Sequence, residues 1–401
     1  MKLSVRPKVY SLPSYSLTGD LLGYLRCGLQ YRYTRIGKLP SSRPVQLWFG
    51  EFIHGVLEEA FRRYQERFKK GEHALPPWAA DELNSIFELI KKRLSARGLV
   101  PWDDDLERLG DLRATAAIQE MGPHLFPLIH RAEVRLYGAR ALPSIDKSWE
   151  FREADRYEMV GVIDVVTHVE LQDPKHQDNP IVRAVLASLP KMPVENFEVI
   201  IDYKGMRRPP VSGGSYWAQY AWQLQTYGEL RRRQPDALPV AAGVLVYLNE
   251  LYPTKTDFET IRREVKRGKT DIPPKLGSEA EAILKSWPSK EKEAPLLPFD
   301  YRLQRSLRAL PINDESIADA LNAFDEVVKR IETCKGKEAK GLPVMDAWER
   351  NASDENTCTV CDSRTYCPDF QKTFGRKTGE THPKLPGFKS KEEGWGHSSR
   401  D

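Results

Sequence analysis

Two strand-like segments of the chain place a carboxylate among β-branched residues, and they restrict the possible folds more than any other feature. VIIDYKG (199–205) contains Asp202 and Lys204, and GVIDVV (161–166) contains Asp164. Runs of β-branched residues predict buried strands. Because an unpaired carboxylate in such a strand is strongly destabilising, each of these aspartates requires a nearby cation.

Side chains alternate between the two faces of a strand, so Asp202 and Lys204 are predicted to be neighbours on one face. Two interpretations remain open. In the first, Asp202 forms an ion pair with Lys204 or an arginine at the sheet edge, and a D-x-K triplet alone favours this simpler interpretation. In the second, Asp164 and Asp202 converge on Mg²⁺ or Mn²⁺, and Lys204 orients or deprotonates a water molecule that attacks a phosphate.

The order of predicted elements around these segments is strand, strand, strand, helix, strand, which indicates an α/β core. The elements are AEVRLYG (132–138), YEMVGVIDVVTHVE (157–170), FEVIIDYK (197–204), the helix GGSYWAQYAWQLQTYGELRRR (213–233) and VAAGVLVYLN (240–249).

Helices are predicted before this core. A short capped helix is expected within 11–33, with Cys27 near its end, and LWFGEFIHGVLEEAFRRYQERF (47–68) has an apolar stripe at helical spacing with His54 on its flank. The predicted organisation is an N-terminal helical region (1–130), the α/β core (131–250), a charged helical region (251–350), a cysteine segment (351–374) and a disordered tail (375–401).

Composition restricts the class of protein without identifying it. The chain has 401 residues, 29% charged residues and a net charge of +4, which allows nucleic-acid binding but does not argue for it. The first thirty residues contain no apolar signal segment, and no apolar run has the length of a membrane span. We therefore expect a cytoplasmic protein that does not bind a membrane.

The cysteines indicate a metal site rather than disulfides. CTVCDSRTYC gives the spacing C-x2-C-x5-C with Cys358, Cys361 and Cys367, and Cys27 lies more than three hundred residues upstream. In a reducing compartment such clustering favours metal binding. Spacing alone leaves zinc and an iron–sulfur cluster open, and either would join the N-terminal helix to the C-terminal segment. Cys334 matches no pattern and is interpreted as a spare thiol.

Four motifs in order resemble those of a known family. GVID, IIDYKG and QLQTY are similar to consecutive motifs of the PD-(D/E)XK nuclease superfamily in its RecB-like branch, and GEFIHGVLE resembles the upstream helix of that branch. The resemblance implies a restriction-endonuclease-like core, a central mixed sheet flanked by helices, with an N-terminal helical region and a C-terminal cysteine clasp. It also implies a Mg²⁺ or Mn²⁺ cofactor.

The resemblance assigns roles to individual residues. It implies metal ligands at His54, Asp164, Asp202 and the backbone carbonyl of Tyr203, and catalytic residues at Asp164, Asp202, Lys204 and a glutamate, for which Glu133 is the first candidate and Glu150 a weaker one. Gln223 and Tyr227 match a Q-x-x-x-Y pair that is expected to contact DNA and steady the site. Arg207 and Arg208 follow the catalytic strand and could reach phosphates, although an exposed turn would also accommodate them.

For the cysteines, the resemblance to AddB-type and CRISPR-associated exonucleases implies a [4Fe–4S] cluster held by Cys27, Cys358, Cys361 and Cys367. The function expected is that of a metal-dependent DNA nuclease, an exonuclease acting on single-stranded ends. Two alternatives remain: a catalytically weak DNA-end-binding subunit of a larger complex, and a zinc-stapled structural protein. The chain contains no P-loop signature, so helicase activity would have to come from a partner.

Overall fold

The computed structural model describes residues 12–40, 46–71, 78–150, 154–210, 215–288, 293–353 and 355–373. The predicted disordered tail (375–401) lies outside the described residues. Within the described ranges, no helix combines the length and the apolar character that a membrane crossing requires.

The described strands form one mixed sheet of six, in which β1, β3, β4, β5 and β6 follow one another and β2 pairs with β3. The pairings of β1 with β3 and of β4 with β5 are parallel, and the other three are antiparallel. The strands are β1 (Ser14–Ser16), β2 (Ile129–Ala141), β3 (Arg156–Glu170), β4 (Asn196–Lys204), β5 (Val240–Tyr247) and β6 (Leu307–Pro311).

Strand β3 changes its partner part-way along one edge. That edge pairs with β1 over Glu158–Val160 and with β4 over Val165–Glu170, while β2 pairs along the opposite edge. Residues 161–164 therefore lie at the fork between β1 and β4. Asp164 is the last residue of this interval, which makes its side chain available to groups outside the sheet.

Helices cover both faces of the sheet. The helices before and within the sheet are α1 (Leu22–Arg26), α2 (Gly28–Tyr31), α3 (Gln46–Lys69), α4 (Ala80–Ala96), α5 (Asp104–Ala116), α6 (Gly122–Leu125), α7 (Pro174–Gln177), α8 (Pro180–Ser188) and α9 (Ser215–Arg232). Those after β5 are α10 (Lys255–Lys266), α11 (Glu279–Ser286), α12 (Phe299–Ser306), α13 (Asp314–Ala339), α14 (Val344–Ala347), α15 (Glu355–Thr359) and α16 (Pro368–Thr373). Shorter π-helical and 3-10 turns lie at Leu17–Leu21, Arg32–Ile36, Ala117–Met121, Phe126–Leu128, Lys147–Trp149, Leu248–Glu250 and Arg364–Tyr366.

Two hydrophobic cores lie on opposite faces of the sheet. On the α3 face, helices α3, α4, α5 and α8 pack against alternate residues of β4, among them Val199 and Ile201. On the α9 face, α1, α2, α9 and α13 pack against the residue between them, Ile200. Adjacent strand residues point to opposite faces, so this division shows that β4 is buried on both sides.

The predicted elements of the α/β core are confirmed as β2, β3, β4, α9 and β5, and the amphipathic segment 47–68 lies within α3. Two strands from outside 131–250, β1 and β6, complete the sheet. The helix expected within 11–33 is interrupted, because Cys27 has an extended backbone with φ −166° and ψ 114° between α1 and α2.

Candidate metal centre

The ligands predicted on α3 and on the sheet meet at the fork of β3. His54 Nδ1 lies 3.5 Å from Asp164 Oδ1, and His54 Nε2 lies 3.1 Å from the carbonyl oxygen of Tyr203. The Tyr203 N–H donates to Asp164 Oδ2 at 2.7 Å. An imidazole, a carboxylate and a backbone carbonyl therefore offer nitrogen and oxygen ligands to one small volume.

Glu133 joins this group from the neighbouring strand. His54, Glu133 and Asp164 each offer a ligand atom, and these atoms all lie within 4.8 Å of one another. The register of β2 and β3 places Glu133 opposite Asp164. Carboxylate oxygens with a single imidazole form a ligand set that suits Mg²⁺ or Mn²⁺. The residues present therefore fit the divalent cation that the sequence predicts.

The Asp164 carboxylate reaches α3 because β3 switches faces at this residue. Ile163 packs in the core of the α9 face, whereas Val165 packs in the core of the α3 face. Residues two apart in a regular strand lie on the same face, so the alternation is broken between them. Asp164 lies at this break, where its side chain meets His54.

Strand β2 switches faces at the same level. Val134 packs against the core of the α9 face and Ala132 against that of the α3 face. The intervening Glu133 has a φ of 52°, in the left-handed region. A non-glycine residue there costs about 1–3 kcal/mol, and such residues concentrate at functional sites. The strained backbone directs the Glu133 carboxylate toward Asp164.

Asp202 and Lys204 form a second, adjoining unit on the α9 face. Lys204 Nζ lies 2.5 Å from Asp202 Oδ2 and donates to Gln223 Oε1 at 2.9 Å. Gln223 Nε2 in turn donates to Asp202 Oδ1 at 2.9 Å. The Lys204 ammonium also lies 4.5 Å from the centre of the Tyr220 ring. The ammonium is therefore fixed by three groups, two of them on α9.

The charges of the two units influence one another. Burial opposes the positive charge on His54, but the surrounding carboxylates, Asp164 first among them, raise its pKa to about 9. Burial and the Asp164 carboxylate raise the pKa of Glu133 to about 7. Burial also raises the pKa of Asp202, although Lys204 opposes this shift. With His54 neutral, as a metal ligand must be, three carboxylates (−3) face the one Lys204 ammonium (+1), and a divalent cation would balance the resulting charge of −2.

The residues predicted to contact DNA have partners within the protein. Gln223 and Tyr227 are buried, and Gln223 Nε2 donates to the Tyr227 hydroxyl at 3.2 Å, so they act from inside the core on Asp202 and Lys204. Arg208 is also buried and donates to Asp271 Oδ1 at 3.0 Å. Arg207 faces several carboxylates, the nearest being Glu264 at 3.2 Å. The carboxylates that pair with both arginines belong to residues 250–271. The sequence did not reveal that this region packs against the end of β4.

A comparison with protein-family models found a match to this chain. The model of the PD-(D/E)XK nuclease superfamily matches residues 19–177. The matched segment includes His54, Glu133 and Asp164 and ends before Asp202. Curated proteins gave no match.

The superfamily match and the observed architecture agree. A mixed six-stranded sheet flanked by helices is the restriction-endonuclease-like α/β core that the motifs predicted, and the fold prediction is confirmed. PD-(D/E)XK proteins are nucleases that usually use divalent metals, so the match indicates a metal-dependent nuclease with DNA as its substrate. The His54–Glu133–Asp164 group is the corresponding feature of this chain.

The predicted cysteine ligands also come together. Cys27, Cys358, Cys361 and Cys367 line one small cavity between the N-terminal helices and the C-terminal segment. Near them, the Leu29 N–H donates to the carbonyl oxygen of Glu349 at 2.9 Å. Four cysteines around one cavity are the residue set of a tetrathiolate site. Cys334 is buried elsewhere, 3.5 Å from the Tyr24 hydroxyl.

Sequence reasoning missed the residues of α4 beside the metal group. A cleft of about 480 Å³ contains His54 and Glu133 on one side and Arg93 and Arg97 on the other. The two arginines lie one turn apart on α4, which is the only sequence signal they offer. Charged residues at this spacing are common on solvent-exposed helix faces.

Proposed function

We propose that the protein is a Mg²⁺- or Mn²⁺-dependent deoxyribonuclease that hydrolyses phosphodiester bonds, acting as an exonuclease on single-stranded ends. One observation carries the proposal: the His54–Glu133–Asp164 group lies beside a buried Asp202–Lys204 pair. The preference for single-stranded ends, and the place in the RecB-like branch, are supported by the motif resemblance, whereas the superfamily match supports nuclease activity in general.

The residues of the site would have different roles in such a reaction. His54, Glu133, Asp164 and the Tyr203 carbonyl would hold the cation, with Asp202 adjoining them. When bound, the cation supplies Lewis-acid activation of the phosphodiester and of the attacking water. Lys204 donates hydrogen bonds from a fixed position, which orients water and stabilises negative charge that develops on the phosphate.

Gln223 keeps the Lys204 ammonium in place. Its amide oxygen accepts from Lys204 Nζ and its amide nitrogen donates to Asp202 Oδ1. The amide is itself held by the Tyr227 hydroxyl. A lysine that is already held on several sides loses less conformational entropy when the substrate binds. Little free energy is therefore needed to orient it for the reaction.

The four-cysteine cavity would hold a [4Fe–4S] cluster that joins the two ends of the chain. The convergence of Cys27 with the C-x2-C-x5-C segment supports this role, and the motif resemblance favours iron–sulfur over zinc. Thiolate bonds to such a cluster would replace part of a hydrophobic interface in stabilising the clasp.

Hydrolysis of end-labelled DNA by the anaerobically purified protein tests the proposed function. With Mn²⁺ the wild type should degrade single-stranded DNA, and chelation should stop it. Asp202→Asn and Lys204→Ala should each lower the rate at least about 100-fold, because each removes a group that acts on the reacting atoms. Thermal unfolding should show that both variants remain folded.

Asp105→Asn is the matched control, since Asp105 is exposed on α5 and forms a surface pair with Arg108 at 3.2 Å. This variant should retain the wild-type rate. Undiminished degradation by Asp202→Asn or Lys204→Ala would refute the assigned site. A wild type that binds DNA but never cleaves it, with any divalent cation, would support the end-binding alternative.

A further inference from the structure

The cleft between α3 and α4 contains more than the metal group. Its α3 side carries His54 together with Glu51 and Glu58, and its α4 side carries Arg93 and Arg97. The cleft is open to solvent and has a volume of about 480 Å³, enough to admit part of a nucleotide. The metal group therefore faces two arginines across a shared space.

Close packing of the two helices brings these arginines to the cleft. Gly55 on α3 faces Ile90 on α4, and a Cβ at Gly55 would lie 3.1 Å from Ile90 Cγ2. A glycine here allows α4 to approach α3 more closely than a larger residue would. Arg93 lies one turn beyond Ile90 and Arg97 lies one turn further, so both follow the helix face that borders the cleft.

The two arginines differ in what they already bind. Arg97 Nη1 donates to Glu51 Oε2 at 3.0 Å, which ties its guanidinium to the cleft wall. Arg93 is exposed, and within the described ranges it makes no hydrogen bond or ion pair with another residue. A guanidinium with its N–H groups available matches the geometry of a phosphate and can bind it in a bidentate manner.

The cleft carries several carboxylates, and the positive charge of Arg93 offsets part of their negative charge. Glu51, Glu58 and Glu133 would repel a nucleic-acid strand, so the strand needs cationic groups near the metal to approach it. Lys204 lies on the α9 face, whereas α3 and α4 cover the other face of the sheet. Arg93 is thus positioned to supply positive charge on the side of the metal group that Lys204 does not reach.

We propose that Arg93 binds a backbone phosphate of the nucleic-acid substrate on the α3 side of the metal group. Arg97, held by Glu51, forms the rim of the same phosphate site. This inference rests on the proposed nuclease function and adds to it a substrate-positioning residue. Binding on both sides of the reacting phosphate would fix the direction in which the strand crosses the metal group.

Fluorescence anisotropy with a short single-stranded oligonucleotide tests the inference. The full-length protein is titrated in Ca²⁺, chosen as a probe cation with which no cleavage is expected, at several salt concentrations. Arg93→Ala should weaken binding about tenfold and lower the slope of log K against log salt by about 0.7, the value for one lost phosphate contact on a single strand. Arg93→Lys keeps the charge but not the bidentate geometry, so its affinity should lie between those of the wild type and of Arg93→Ala.

Arg108→Ala is the matched control, because it removes the same charge from an exposed position on α5. It should change binding less than twofold, apart from a small general electrostatic effect. If Arg93→Ala has the affinity and salt slope of Arg108→Ala, the inference is overturned while the nuclease assay of Asp202→Asn still decides the proposed function. If the wild type binds no DNA with or without Ca²⁺, both proposals fail together.

Discussion

At the scale of single residues, Glu133 shows how the backbone serves the site. Its φ of 52° is the left-handed conformation, which glycine adopts at little cost and glutamate does not. Although the Glu133 side chain is solvent-exposed, partial desolvation and the Asp164 carboxylate raise its pKa to about 7, so a charged Glu133 opposes folding in the absence of metal by a small amount that solvent screening reduces. Both penalties fall at the position that we propose as a metal ligand.

Replacing Glu133 should therefore stabilise the metal-free protein and impair metal binding. Glu133→Gly relieves the backbone strain and should raise the free energy of unfolding by about 1 kcal/mol, the net of strain relief and the entropy of a new glycine. Urea denaturation in EDTA measures this change, and calorimetry with Mn²⁺ should show weaker binding. A Glu133→Gly protein that is less stable than the wild type in EDTA would contradict the strained-ligand interpretation.

Glu133→Gln separates the charge from the backbone. The folded-state pKa of Glu133 lies above its ordinary value, so the wild type is stabilised by protonation at low pH and loses that stability as the pH rises through about 7. The difference in free energy of unfolding between Glu133→Gln and the wild type should therefore be absent near pH 4 and should increase up to pH 8. Glu133→Gly should have a higher free energy of unfolding than Glu133→Gln, and this second difference should not depend on pH.

The residue scale also shows what the sequence could predict. The neighbouring positions of Asp202 and Lys204 on one face followed from strand alternation, which is a local rule. The same rule could not predict the face switch at Asp164, because that break depends on the pairing of β3 with two different strands. The buried position of Arg208 depends on Asp271, a partner more than sixty residues away.

At the scale of elements, α9 holds Lys204 in place. It contributes Gln223 and Tyr227, and it packs closely over β3, where a Cβ at Gly161 would lie 2.8 Å from Tyr227 Cε1. Tyr227 is buried and bonded to Gln223, so its ring has little freedom to move aside. The distance between helix and strand at Gly161 therefore controls the position of Lys204.

Gly161→Ala should displace α9 and impair the site. The inserted methyl group should lower the free energy of unfolding by about 1–3 kcal/mol, as overpacking of a core does. Nuclease activity should fall further than the loss of folded protein explains, because Gln223 no longer holds Lys204. Gly23→Ala is the control, since its Cβ would meet only Tyr31 Cδ2 at 3.7 Å, an ordinary contact. Equal activity of the two variants would show that α9 does not position the lysine.

The elements differ in how well the sequence predicted them. Long periodic segments such as α3, β3 and β4 were found at their places, because burial on one or both faces gives a strong hydrophobic pattern. Strands β1 and β6 were missed, since three and five residues are too few to show a period. The single helix expected around Cys27 was wrong because Cys27 is extended between α1 and α2, and the Leu29 N–H just after it donates to the distant Glu349 carbonyl, a contact that local sequence does not reveal.

At the scale of the whole molecule, the four-cysteine cavity brings Cys27 together with the segment 355–373. Apart from the thiols, Arg32 Nε donates to Glu338 Oε2 at 2.7 Å, and the rings of Tyr24 and Trp348 lie 6.4 Å apart. These contacts hold residues up to about 350 on the core without the cluster. The segment 355–373 contains three of the four cysteines and is tied to Arg350 by Asp369 Oδ2, which accepts from Arg350 Nε at 2.9 Å.

Cys361→Ala should remove the iron and loosen this segment. We expect loss of the bound iron, faster proteolytic cleavage within 355–373, and an intact core. Cys334→Ala is the control, because Cys334 is a buried cysteine outside the cavity. The Cys334→Ala protein should retain its bound iron. A wild type that contains zinc and no iron, or a Cys361→Ala protein that retains its iron, would refute the iron–sulfur assignment.

The position of a bound metal ion tests the proposed centre most directly. Anomalous diffraction from crystals of the protein grown with Mn²⁺ should show one strong peak between His54, Glu133, Asp164 and the Tyr203 carbonyl. The peak should disappear in Asp164→Asn. Binding of Mn²⁺ at another place in a protein that nevertheless cleaves DNA, or an undiminished peak in Asp164→Asn, would contradict the proposed centre.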